Sequence, residues 1–121
     1  MRLLIAVAAL AATLALTTSA AAMVGMFNSP GKITGSSVKV TGPVSFSSDE
    51  AGAVIHATVL QNGKSTSGDS AYVPASASSW SATTSGDRLS PGHATAKAVA
   101  TVYNRDGSTE RYSWVTQIDL K

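Results

Sequence analysis

The chain has 121 residues, of which 44% are apolar and only 13% charged, with a formal charge of +2 and no cysteine. One domain is expected at this length, and the lack of thiols excludes disulfides, thiolate metal sites and cysteine nucleophiles. The cations Lys32, Lys39, Lys64, Arg88, Lys97, Arg105, Arg111 and Lys121 are scattered among seven acids, whereas a nucleic-acid footprint needs them gathered with aromatics between them, so nucleic acid is excluded as a partner.

Met1-Arg2 leads into an apolar run from Leu3 to Leu16, followed by Thr17, Thr18, Ser19 and Ala20-Ala21-Ala22. A basic start, an apolar centre and a small-residue A-x-A exit are the parts of a secretory signal peptide, with cleavage after Ala22. The uncharged stretch continues through Met23, Val24, Gly25, Met26 and Phe27 to Lys32. That is also long enough for a retained membrane helix, although the alanines and the Thr-Thr-Ser step weaken it as a span. The chain thus divides into a leader or hydrophobic helix at 1–22, a linker or N-terminal arm at 23–35, and a folded domain at 36–121.

The domain reads as all-β, because Gly, Ser, Pro and Asn punctuate short alternating runs and no stretch after Lys32 has helical periodicity with caps. Ser37 to Thr41 alternates, Gly42-Pro43 breaks it, and Val44 to Phe46 resumes, as in a first strand that kinks and continues along a sheet edge. Ser47 to Gly52 is a polar turn, with Asp49 and Glu50 as solvated acids. Ala53 to Gln61 is a central strand, with Ile55, Ala57 and Val59 on one face and Val54, His56, Thr58 and Leu60 on the other. Asn62-Gly63 is a two-residue hairpin turn, since both positions need positive φ.

Ser65 to Ala77 is poor in apolar residues and reads as a weak edge strand and a mobile crossing. Trp80 to Thr83 resumes alternation. After the turn at Leu89-Ser90-Pro91-Gly92 comes a long strand, Ala94 to Tyr103, whose Ala94, Ala96, Ala98, Ala100 and Val102 form a small-residue face that admits a tryptophan, Trp80 or Trp114. Asn104-Arg105-Asp106-Gly107 is a type I turn with a bulge. The last strand, Thr109 to Leu120, places Tyr112, Trp114, Thr116, Ile118 and Leu120 together. About seven strands with turns every 8 to 12 residues is the pattern of an immunoglobulin-like sandwich.

The run Ser79-Trp80-Ser81-Ala82-Thr83, the turn Leu89-Ser90-Pro91-Gly92, the strand Ala94 to Tyr103 and the turn Asn104-Arg105-Asp106-Gly107 resemble the second half of bacterial immunoglobulin-like (Big-type) domains. Ser37-Val38-Lys39-Val40-Thr41-Gly42 is similar to their first strand. The resemblance implies a sandwich fold and a non-catalytic spacer, adhesive or wall-associated role.

Motifs for chemistry are weak. Gly63-Lys64-Ser65-Thr66 ends like a phosphate loop, but Thr58 stands where the motif needs glycine and no helix follows. His56 and His93 are far apart in sequence, and Met23 and Met26 beside a cleavage site read as leader tail rather than copper ligands. Asp49, Glu50, Asp69, Asp87 and Asp106 lack calcium-loop spacing. No acid–base pair or serine elbow emerges, so the expectation is no catalytic residues, no metal and no cofactor.

What remains is a secreted or cell-surface binding or structural module. Its expected contact surface is Tyr72, Ser76, Ser78 and Ser79, and its expected partner a protein or polysaccharide. The alternative is a pilin-like subunit of an extracellular filament, self-associating through a retained helix or through Met23 to Ile33 added to a neighbour's edge.

Overall fold

The computed structural model describes residues 23–121; the leader, with both its readings, lies outside the described residues. The fold is all-β and sandwich-like. The nine strands among the described residues are β1 (Val24–Gly25), β2 (Lys32–Thr34), β3 (Ser37–Ser45), β4 (Glu50–Gln61), β5 (Lys64–Asp69), β6 (Val73–Pro74), β7 (Ser79–Gly86), β8 (Gly92–Asn104) and β9 (Thr109–Leu120). Three of these are short pieces, β1 and β2 in the arm and β6 in the crossing, where brief pairings raise the number above the expected seven.

Turn chemistry fixes the local register. Asn62 and Gly63 take φ of 50° and 78°, so β4 and β5 close as the hairpin the Asn-Gly pair demands. Gly107, at φ 91°, completes the β8–β9 turn, where Asn104 N donates to Ser108 O at 2.8 Å. From these turns run the long antiparallel ladders of β4 with β8 and of β8 with β9.

Paired strands follow the order β1-β3-β7-β5-β4-β8-β9, with β2 on β3 and β6 on β4. The path also closes on itself. Gly31 pairs in parallel with Leu120, and Gly31 N reaches Asp119 O at 2.8 Å while Ile33 N reaches Lys121 O at 3.0 Å. Because β2 also pairs with β3, the hydrogen bonds form a continuous circuit, which removes much of the open edge that invites aggregation.

Period-two alternation sends one face of each strand inward. Ile55, Ala57 and Val59 of β4 are fully buried, as are Ala96, Ala98, Ala100 and Val102 of β8. Opposite them lie Val38 and Val40 of β3 and Trp80 and Ala82 of β7. The alanine face leaves room for aromatics. Trp80 and Trp114 sit 6.1 Å apart edge-on, and Phe27 joins Trp80 at 5.3 Å. Such edge-to-face contacts suit the ring quadrupoles.

Several expectations change. β3 is not at an edge: β7 takes one side while β1 and β2 take the other. Pro43 has no N–H to give to a ladder, and its carbonyl accepts from Met26 N at 3.2 Å. The expected weak edge strand is also interior, since β5 pairs with β4 along its length and with β7 at Thr66 and Ser67. Its low hydrophobicity reflects a polar packing mode. The Thr66 hydroxyl meets that of Thr84 at 2.7 Å, and Thr84 in turn donates to Val38 O at 2.9 Å.

Glu50 is no solvated turn acid: it opens β4 and is 2% exposed. The segment Met23 to Ile33, considered as a strand for a neighbour's edge, is taken up by the chain's own β3 and β9.

Candidate functional site

Where β4, β8 and β9 run side by side, the alternation that buries alanines on one face exposes a second set of side chains on the other. Register makes neighbours of them: Val54 lies opposite Thr101, His56 opposite Val99, and Thr101 opposite Arg111. Val54, His56, Asp69, Val99, Thr101, Tyr103 and Arg111 line a shallow depression of about 400 Å³ on this outward face. Val99 is 37% exposed and Tyr103 41%, on the same face of β8 with Thr101 between them.

The hairpin at Asn62-Gly63 brings Asp69, the last residue of β5, level with His56, and Asp69 Oδ1 lies 2.7 Å from His56 Nδ1. Both groups are largely exposed, so the pair contributes little stability and serves to orient the imidazole. His93 makes a similar exposed contact with Asp119 at 3.0 Å. The two histidines do not converge, and among the described residues no three potential ligands gather round a common point.

Tyr72 reaches this face from the β5–β6 connection. Its ring crosses Gly52, where a Cβ would overlap the Tyr72 hydroxyl, and it packs against Tyr103 at 6.4 Å with a 44° tilt. The other three expected contact residues lie elsewhere. Ser76 is in the turn after β6, Ser78 O accepts from Val44 N at 3.0 Å, and Ser79 pairs with Pro43. The structure therefore divides Tyr72 from the serines.

Among the described residues, two groups show shifted titration. Tyr112 donates to Glu110 Oε1 at 2.7 Å. That bond, then partial burial, then the negative charges of Glu110 and Glu50 push its phenol up to about 12. Asp106 is held below its usual range by the side chain and backbone N–H of Ser108 in the β8–β9 turn.

Val99, Thr101, Tyr103 and Arg111 escaped the sequence reading as a surface. The alternation in β8 carried the signal, since the face opposite its alanines must point to solvent. Placing Arg111 and Asp69 beside them required the strand register.

No protein-family model matches the chain, and no curated protein matches it. Among solved structures, that of murine CRIg is similar at 13% identity, covering 81% of this chain and 98% of that chain with a TM-score of 0.40. These comparisons do not confirm the bacterial family suggested by the strand and turn motifs, and the all-β, sandwich-like architecture rests on the strands and their pairing described above.

Proposed function

We propose that this chain is a non-enzymatic binding module acting outside the cytoplasm, exported by the leader at 1–22, with the outward face of β4, β8 and β9 as its contact surface. The observation that carries this reading is the exposure of Tyr72, Val99, Tyr103 and Arg111 together on a sheet whose other face is rigidly buried. Tyrosine and arginine are enriched among the few residues that carry most of the binding energy at protein interfaces, and tyrosine buries large area at small entropic cost. The ordered strands beneath hold them in place before a partner arrives.

A protein partner fits this face better than a glycan. Its centre is branched aliphatic and cationic, suited to apolar side chains and a carboxylate. Its two tyrosine rings lean on each other rather than lying open for a sugar to stack on. Ser76, Ser78 and Ser79 would then belong to a separate surface.

The test is to label the purified secreted protein and measure its binding to cell-surface protein and to cell-wall polysaccharide of the producing organism. Tyr103→Ala with Arg111→Ala is expected to weaken protein binding at least tenfold while leaving the unfolding midpoint nearly unchanged, as for substitutions away from a core. Unchanged binding to protein, or binding to polysaccharide alone, overturns the reading.

A further inference from the structure

Among the described residues, Glu50 is the one charged side chain that is buried. Its oxygens accept from two backbone nitrogens: Oε1 from Ser47 N at 2.8 Å and Oε2 from Met23 N at 3.1 Å. Arg105 stands close in sequence to Asn104, the β8 partner of Glu50, yet its Nε donates to Ser48 O. The ion pairs among the described residues are the two histidine contacts, so Glu50 has no lysine or arginine partner there. A buried carboxylate needs a counter-charge as well as hydrogen bonds, and two neutral amides supply only the latter.

Met23, the other end of the contact, is 5% exposed, and it directly follows the A-x-A exit Ala20-Ala21-Ala22. The nitrogen bonded to Glu50 is therefore the one that cleavage after Ala22 would free.

We infer that Glu50 is a built receptor for the chain's own processed N-terminus, and that removal of the leader converts the Met23–Glu50 hydrogen bond into a buried ion pair. The inference rests on the secretory reading of 1–22 proposed above. Hydrolysis by a leader-cleaving endopeptidase adds water across the Ala22–Met23 amide. The C–N bond breaks, the water oxygen goes to the Ala22 carboxylate, and Met23 nitrogen gains protons to become an ammonium at neutral pH. The ammonium has three donors where the amide had one. Ser47, whose N–H already binds Glu50, also holds a buried Oγ with no partner among the described residues, an acceptor in the same turn.

The device ties stability to maturation. The carboxylate gains its counter-charge only after cleavage, so the exported, processed chain is the form in which β1 is locked to the start of β4. A chain still carrying its leader holds the same buried carboxylate against a neutral amide, and its fold is correspondingly easier to open.

Titration of the α-amine tests this without assuming any variant folds. The full-length gene is expressed in an exporting host, the product's N-terminus is fixed by intact mass, and acylation of the Met23 amine is followed against pH by peptide mapping. The ordinary α-amino midpoint is about 7.7 to 8.0. Burial alone lowers it, whereas a carboxylate partner raises it. The groups that bear on the pair are Glu50 itself, Tyr112 and Glu110 on β9, and Arg105.

The expected result is a midpoint at least one unit higher in the native than in the denatured protein, with labelling at neutral pH at least tenfold slower. Glu50→Gln, if it folds, should erase the rise. A start at Met23 with a midpoint at or below the ordinary range overturns this inference and leaves the secretory reading intact. A start elsewhere overturns this inference alone, and a retained leader overturns both.

Discussion

Ile55, Ala57 and Val59 meet Ala100, Ala98 and Ala96 across β4 and β8 by ladder register alone. At the N-terminal seam nothing so regular operates. There Met23 and Phe27 are buried, and Trp80 Nε1 donates to Met26 O at 3.0 Å across 54 residues of sequence. Gly42 admits this arm only because it lacks a side chain: a Cβ there would overlap the Met26 carbonyl oxygen and come within 2.9 Å of Trp80 Nε1. The centre is held by repetition, with small residues filling a uniform gap. The seam is held by a few specific contacts, each between distant parts of the chain.

The contrast sets the expected order of damage. Ile55→Ala should be the most costly of three substitutions, at about 3 kcal/mol, because it opens a cavity where neighbouring alanines have no side chain with which to fill it. Urea unfolding measures it, and a loss below about 1 kcal/mol would mean that the centre is looser than its burial implies.

Gly42→Ala should cost less, about 1 to 3 kcal/mol of overpacking, but its effect should be local. Limited proteolysis is expected to cut the arm between Met23 and Thr34 well before the β4–β8 ladder yields. Simultaneous loss of both would show that seam and centre are one cooperative unit.

The smallest effect belongs to Tyr112, beside the seam. Its phenol titrates near 12 in the fold against 10.0 ordinarily, so the folded state holds the proton more tightly. That contribution is fully present below pH 10 and is lost as pH rises towards 12. Tyr112→Phe should flatten this part of the alkaline fall in melting temperature; an unchanged alkaline limb would show that the Glu110 contact does not persist in solution.

The same division explains what could be read from the residues alone. The central strand, the Asn62-Gly63 hairpin and the Asn104–Gly107 turn are local statements, and alternation or turn chemistry expresses each within about ten residues. Trp114 on the inward face of β9 was legible for the same reason. The interior place of β5 was not, because its partners are held through backbone ladders and threonine hydroxyls rather than apolar side chains, and periodicity arguments count only the latter. Glu50 misled most. A Ser-Ser-Asp-Glu run looks like a solvated turn, and only the arrival of Met23, 27 residues earlier in the chain, closes over it. The candidate surface was half visible: Tyr72 stood out as an isolated aromatic, whereas Tyr103, Val99 and Arg111 became its neighbours only once register was known.

The closed hydrogen-bond circuit also imposes an order in time. Ser29 Oγ accepts from Asp119 N across 90 residues, and Gly31 O accepts from Lys121 N. During synthesis, then, the segment from Ser29 to Thr34 must wait for Asp119 and Lys121 before the ring can shut. Such long-range closure folds slowly. A ring that needs Lys121 cannot shut until synthesis has passed that residue, so the seam at Gly31 stays open until then.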